Sequence, residues 1–210
     1  VTTEGEHITS DRGSYHRDSG RMDFLGQVHM VVDTLNVRSE RVGYLPKARK
    51  LILTDPAEVR HPSGGVDCVR GEWDLEAGGG WFAGDSSAVA RFVDGDLVVT
   101  GDSLALSDAL GVARGRVLLT DTAGSYRLGG DAVDFERESD GGSGQVSLKG
   151  NAFAWLNEGD APLLVQGPSI TIATDSAQQR MLFAEEGAVL HSDEVTGAAH
   201  RLEWSERAEQ

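Results

Sequence analysis

The fold is decided by one short stretch, Val37-Arg38-Ser39-Glu40-Arg41-Val42-Gly43-Tyr44, whose pattern returns along the chain. Val42 and Tyr44 follow the acid at every second position, which is the spacing of a β-strand with one buried face. The opening of this stretch is an aliphatic residue, any residue, a small residue and an acid, and it recurs every 29 to 32 residues. The copies are Ile8–Asp11, Val37–Glu40, Val69–Glu72, Val99–Asp102 and Leu128–Asp131.

Two weaker copies extend the repeat toward the C-terminus. Val165–Pro168 has proline in place of the acid, and Leu190–Asp193 is followed by Leu202 and Trp204. A fixed period of this length is typical of one structural unit used many times. Because no boundary interrupts the repeat, the sequence predicts a single domain over residues 1–210, with a disordered or helical tail at about 205–210.

Each copy is followed by a turn rich in Gly, Asp and Ser and then by a returning strand. Many returning strands carry a glycine or an acid near the middle, where a bend or bulge is expected. A kink at one height in every unit would fold the sheet into two facing walls. The sequence therefore predicts an all-β, antiparallel, repeat-built protein without significant helix. The predicted kinks are at Gly26, Asp55, Gly84, Gly115, Gly150 and Glu186.

Composition excludes several classes of function. The chain carries 34 acidic and 19 basic residues, a net charge of −15, so neither nucleic acid nor an anionic membrane surface is an expected partner. The single cysteine, Cys68, excludes an intrachain disulfide and a zinc site built from several cysteines, and is expected to be a small buried side chain. No stretch approaches the roughly 18 apolar residues of a membrane-spanning helix.

Two parts of the N-terminal region resemble a known family. The first is His7-Ile8-Thr9-Ser10-Asp11, followed by Ser14, Gly20 and Phe24-Leu25-Gly26-Gln27-Val28, and the second runs from Asp33 to Tyr44. These residues are similar to the opening of the OstA-like family of lipopolysaccharide-transport proteins, which includes LptA and LptC. The detailed match covers about residues 7–60, and only the repeat pattern continues beyond it.

The resemblance implies a fold, a location and a function. The fold would be a β-jelly-roll of two antiparallel sheets opened into a V, and the location would be the periplasm, either free or anchored through a segment outside this chain. The acyl chains of lipopolysaccharide would lie between the sheets. Such domains join end to end with other jelly-roll domains of a transport bridge, which here includes a second copy placed head to tail. No catalytic residue, metal or cofactor belongs to that function.

The charge of the chain modifies this expectation. A net charge of −15 fits poorly with a phosphorylated, anionic lipid. The expected ligand is therefore lipopolysaccharide with its headgroup in solvent, or another acylated lipid.

The expected lipid-binding residues are the apolar residues on the buried face of successive strands. Each could also pack in a closed core. They are Ile8, Phe24, Val28, Met30, Val37, Val42, Tyr44, Leu51, Leu53, Leu75, Val99, Leu104, Leu106, Val117, Leu119, Val133, Phe135, Val146, Leu148, Phe153, Ile170 and Ile172.

The outermost strands form a second functional element, because unpaired backbone N–H and C=O groups invite another strand. The sequence places these edges near His7, Ile8 and Ser10 at one end and near Leu202 and Trp204 at the other. Head-to-tail pairing would be open-ended, whereas a capped monomer would leave both edges unused.

Two other classes of function stay open. A structural β-repeat protein, such as a solenoid, would assemble through its edges and bind no lipid. An enzyme would require converging acids or histidines, but the six histidines lack the spacing of a helical zinc motif, and neither a phosphate loop nor a nucleophile elbow is present. The sequence therefore predicts no enzymatic activity.

Overall fold

The computed structural model describes residues 2–3, 6–136, 144–157, 162–174, 180–193 and 195–205. Within these ranges the only helical element is a 3-10 turn at Pro46–Ala48, and all ladders are antiparallel. The predicted all-β class is confirmed. Ser205 is the last residue of a strand, and the predicted tail beyond it, residues 206–210, lies outside the described part of the chain.

The described residues form nineteen strands that follow one another with short connections. Most neighbours in sequence are also neighbours in a ladder. The strands are β1 (Thr2–Thr3), β2 (Glu6–Thr9), β3 (Arg12–His16), β4 (Arg21–Val32), β5 (Leu35–Leu45), β6 (Lys50–Leu53), β7 (Ala57–His61), β8 (Gly64–Cys68), β9 (Arg70–Asp74), β10 (Gly79–Ala83), β11 (Ala90–Asp94), β12 (Leu97–Gly101), β13 (Ser103–Leu106), β14 (Leu110–Asp121), β15 (Tyr126–Glu136), β16 (Gly144–Leu156), β17 (Leu163–Thr174), β18 (Arg180–His191) and β19 (Thr196–Ser205).

Two compact units lie within the span that the sequence assigns to one domain. The first unit is Val1–Gly95 together with Gly101–Asp108, and the second is Asp96–Thr100 together with Ala109–Gln210. The chain enters the second unit for the five residues 96–100, returns to the first, and then completes the second.

The long strands bend where the sequence predicts kinks. Four of them contain two consecutive residues with positive φ, and the ladder register shifts at the same points. Such pairs are bulges that turn the strand. The predictions at Gly26, Gly115, Gly150 and Glu186 are therefore confirmed, while Asp55 and Gly84 lie in the gaps between short strands. The bulge pairs are Gly26–Gln27, Gly115–Arg116, Gly150–Asn151 and Glu186–Gly187.

The acid of the repeat stabilises these bulges in several copies. The Asp11 backbone N–H donates to the Gly26 carbonyl oxygen at 3.0 Å, and the Gln27 N–H donates to a Glu40 carboxylate oxygen at 3.4 Å. In a later copy, the Asn151 side-chain amide donates to Asp131 at 3.0 Å. The acid of the repeat thus has a structural role, and in Glu40 its carboxylate accepts a hydrogen bond from a backbone N–H of the bulge.

The bends divide each unit into two walls. In the first unit, wall A consists of β3, residues 21–25 of β4, residues 41–45 of β5, β6, β9, β10 and β13, in that order. Wall B consists of β1, β2, residues 28–32 of β4, residues 35–39 of β5, β7, β8 and β11.

The second unit repeats this plan with longer strands. Wall C consists of residues 110–114, 132–136, 144–149, 169–174, 180–185 and 201–205, taken from β14 to β19. Wall D consists of residues 97–100 of β12 and of residues 117–121, 126–130, 152–156, 163–167, 188–191 and 196–199 from the same six strands.

Most strong copies of the repeat mark the points where the chain passes between the two walls of one unit, and the copy Val99–Asp102 marks its return from the second unit to the first. The weakest copy does not. Leu190 lies at the end of β18 and Asp193 lies in the following turn, so the prediction of a seventh unit at Leu190–Asp193 is wrong. The corresponding crossing occurs later, at His200 in the middle of β19.

Candidate functional site

The inward faces of the walls are continuous apolar rows that cross the strands. In wall A one row reads Phe24, Val42, Leu53, Gly71, Phe82 and Leu104 in register. In wall C one row reads Phe135, Val146, Ile172, Leu182 and Trp204. Rows of this kind place one side chain of every strand on the same side of the sheet.

The predicted lipid-binding residues that belong to strands lie on these inward faces, with the exception of Phe153. All of them apart from Leu75, Val146 and Phe153 are buried, many with no exposed surface at all. The sequence thus identifies the inward faces correctly. Whether an acyl chain enters between them depends on how the walls meet at their free ends.

The assignment of Phe153 to the inward face is wrong, and Leu75 lies just beyond the strands. Leu75 follows the last residue of β9, and its backbone N–H donates to the Arg49 carbonyl at 2.8 Å. In β16 the buried residues are Ala152, Ala154 and Leu156, so Phe153 faces outward together with Trp155. The strand buries its alanines and exposes its aromatic residues. A prediction that places the largest apolar side chains inward is therefore wrong for this strand.

The walls of the first unit are joined along their rim, which we define as the strand ends opposite the bends. The Tyr44 hydroxyl of wall A donates to a Glu6 carboxylate oxygen of wall B at 2.6 Å. Arg49, in the turn after β5, pairs with Asp33, in the turn after β4. The sequence did not identify this rim because its partners are distant in the chain.

Aromatic contacts complete the rim of the first unit. The rings of His61 in wall B and Trp73 in wall A lie 5.8 Å apart between centroids. Burial and the neighbouring Glu6 carboxylate together raise the pKa of the Tyr44 phenol, so its proton stays available for the hydrogen bond at neutral pH. These contacts join the two walls along the rim of the first unit.

We expect Tyr44→Phe to lower the free energy of unfolding of the first unit by about 1.5–3 kcal/mol, the usual range for a hydrogen bond to a charged group. Urea titration followed by tryptophan fluorescence measures this. Tyr15→Phe is the matched control, since Tyr15 is 61% exposed. Equal losses for the two variants would show that the rim contact contributes nothing specific.

The second unit has a rim contact but an open end. Arg180 of wall C lies over the ring of Tyr126 of wall D, with 5.5 Å from its guanidinium carbon to the ring centroid. At β19, however, the inward residues Leu202 and Trp204 are only half-buried, and Ala199 is exposed. Apolar surface of the interior thus reaches solvent at the last strand.

The strand edges lie partly where the sequence predicts them. Leu202 and Trp204 belong to β19, which among the described residues is paired on one side only, to β18. The N-terminal assignment is wrong for His7, because β1 pairs with β2 at His7. Ile8 belongs to β2, and Ser10 lies between β2 and β3. The outermost strands at that end are β1 for wall B and β3 for wall A.

An open groove of about 680 Å³ lies on the bend side of wall B. Val28, Ala57 and Cys68 line its buried part. Burial raises the pKa of the Cys68 thiol to about 12, so the thiol is protonated and unreactive at neutral pH. Cys68 is the buried side chain that the sequence predicts.

Neither the protein-family models nor the curated proteins give a match to this chain. Across the described residues, no three His, Cys, Asp or Glu side chains are grouped so that they could hold a metal ion. The described part of the chain also contains no helix long and apolar enough to span a membrane.

Proposed function

We propose that this protein binds the acyl chains of an amphipathic lipid, lipopolysaccharide or another acylated lipid, between walls C and D of its second unit. The observation that carries the proposal is the open end of the apolar interior at Leu202 and Trp204. The proposal includes an open β-jelly-roll architecture, a location in the periplasm and a role in transport without catalysis.

Apolar burial is sufficient to drive such binding. Each methylene removed from water contributes about 0.8 kcal/mol, so a dozen methylenes contribute roughly 10 kcal/mol before the entropic costs of association. The row that ends at Trp204 is uninterrupted from Phe135 and contains only apolar side chains. An acyl chain that enters beside β19 extends this row, and no specific polar pocket is required.

The charge of the protein restricts where a headgroup lies. The outward face of wall C carries acids such as Asp134, Glu185 and Glu203, so an anionic headgroup is repelled from it. In the proposed complex the headgroup therefore stays in solvent at the open end, while only the hydrocarbon part is enclosed.

The edge of β19 that faces away from β18 is the proposed binding site for a protein partner. β19 is ten residues long, and most of its side chains are exposed on both faces. A long exposed edge of this kind accepts another strand through backbone hydrogen bonds. The proposed partners are other jelly-roll domains of a lipid-transport bridge, including a second copy in head-to-tail arrangement, whose walls would continue the apolar interior.

Lipid extraction tests the proposal. Protein purified from a host with an outer membrane should release acylated lipid into chloroform–methanol, detected by mass spectrometry. It should also bind N-phenyl-1-naphthylamine, with the affinity falling by about tenfold or more in Leu202→Asp because a charge then stands at the entrance. Leu118→Asp, on the outward face of wall D, is the control. Absence of lipid together with equal probe binding by all three proteins would contradict the proposal.

The second candidate function is assembly through edge strands without cargo. The exposed β19 favours it equally, since strand pairing does not require an open interior. It predicts concentration-dependent oligomers in sedimentation velocity that Leu202→Pro abolishes, with no lipid in the extract.

A further inference from the structure

The outward face of wall D carries two aromatic side chains of β16. In β16 the two alanines, Ala152 and Ala154, are buried, whereas Phe153 and Trp155 face solvent and are half-buried. Strands with one solvated face normally bury their largest apolar side chains, and a contiguous exposed apolar patch indicates an interaction site. The reversal in β16 therefore indicates a binding surface.

Two rows of side chains cross all seven strands of wall D on this face. The first contains Leu118, Phe153, Gln166 and Val189. The second contains Arg127, Trp155, Leu164 and His191. The Arg127 guanidinium carbon lies 5.5 Å from the centroid of a Trp155 ring, which links the polar and aromatic parts of the second row.

Charge separates this face from the opposite one. Among the described residues, no carboxylate belongs to either row of wall D, although the chain contains 34 acids. The corresponding rows of wall C include Asp134, Glu185, Glu203 and basic residues. A ligand on wall D therefore meets donors and aromatic rings without meeting negative charge.

The shape of the patch limits the kind of ligand. Seven strands about 4.8 Å apart span about 29 Å, and the two rows lie about 7 Å apart, so the strip between the rows covers roughly 200 Å². A stable protein–protein interface needs about 800 Å² from each partner. The strip is too small for a second globular protein and has the proportions of an extended polymer chain.

We propose that the outward face of wall D binds an extended, uncharged glycan. Sugar rings present flat C–H faces that pack on aromatic rings, here Trp155 and Phe153. Their hydroxyl groups accept hydrogen bonds from side chains such as Arg127 and Gln166, which stand beside the rings. This surface is separate from the lipid interior, since its side chains point to the other side of the same wall.

Affinity electrophoresis in native gels tests this proposal with three probes, dextran, hydroxyethylcellulose and galactomannan. At least one should retard the protein, and Trp155→Ala should weaken that retardation by about tenfold or more in dissociation constant. Gln166→Ala, at an exposed position, should weaken it by about threefold and serves as a second variant if Trp155→Ala fails to fold. The matched control is Phe183→Ala, because Phe183 is a half-buried aromatic residue on the outward face of wall C.

Several results would overturn the proposal. One is the absence of retardation by all three probes, and another is equal retardation of the wild type, Gln166→Ala and Trp155→Ala. Self-association that Trp155→Ala abolishes would assign the face to a second copy, and sedimentation with phosphatidylcholine vesicles that Trp155→Ala abolishes would assign it to a membrane. Binding of N-phenyl-1-naphthylamine should be unchanged in Trp155→Ala, which keeps this test distinct from that of lipid binding.

Discussion

Leu51→Asn should destabilise the first unit by about 3–5 kcal/mol, the range for removing a large buried side chain and burying a polar group without partners. Leu51 has no exposed surface and stands between Tyr44 and Trp73 in the inward row of wall A. Because the side chain at this position is fully buried, the amide cannot reach water. Urea unfolding followed by the fluorescence of Trp73 measures the loss.

The next residue of the same strand provides the control. Ile52 is half-buried on the outward face of wall A, directly opposite Glu72. Ile52→Asn should cost about 1 kcal/mol or less, since the new amide remains hydrated. Similar losses at the two positions would show that wall A has no closed inward side.

Gly150→Val should destabilise the second unit by about 3 kcal/mol or more, since two independent costs act at one residue. Gly150 has φ +68°, a conformation that β-branched residues rarely adopt. An added Cβ would also lie 2.5 Å from a carboxylate oxygen of Asp131, the acid of the repeat. The bulge would then lose its hydrogen bond from Asn151 or its register.

A substitution at Gly124 is the control that distinguishes backbone strain from the clash with Asp131. It has φ +73°, and no atom lies within 4 Å of the position of an added Cβ. Gly124→Val therefore carries the backbone strain alone, about 1–2 kcal/mol. Thermal unfolding of the two variants should differ clearly, with Gly150→Val the less stable. Equal melting temperatures would mean that the acid does not constrain the bulge.

The parts of the fold that the sequence predicts depend on local patterns. The kinks at Gly26, Gly115 and Gly150 can be predicted from the sequence because glycine tolerates the positive φ that a bulge requires. The inward rows can be predicted because successive side chains of a strand point to alternate faces of the sheet. Val37 and Val42 fall on inward faces on opposite sides of one bend, as their spacing around Glu40 indicates.

The parts that the sequence does not predict depend on contacts between distant residues. Tyr44 and Glu6 are 38 positions apart, and nothing in either segment indicates that their side chains meet across two walls. Phe153 shows a second reason, because alternation alone cannot tell which set of side chains faces inward when alanines and aromatic residues alternate. The edge assignment at His7 failed because β1 adds a further strand.

Quenching of tryptophan fluorescence by brominated lipid tests the central claim most directly, because bromine quenches only rings in close contact. Dibromostearate should quench the wild-type protein, and Trp204→Phe should lose most of the quenched signal, because Trp204 lies at the open end of the apolar interior. Trp155→Phe should keep it, since Trp155 faces outward on wall D. No quenching at saturating lipid, or equal loss of signal in the two variants, would contradict an acyl chain held between walls C and D.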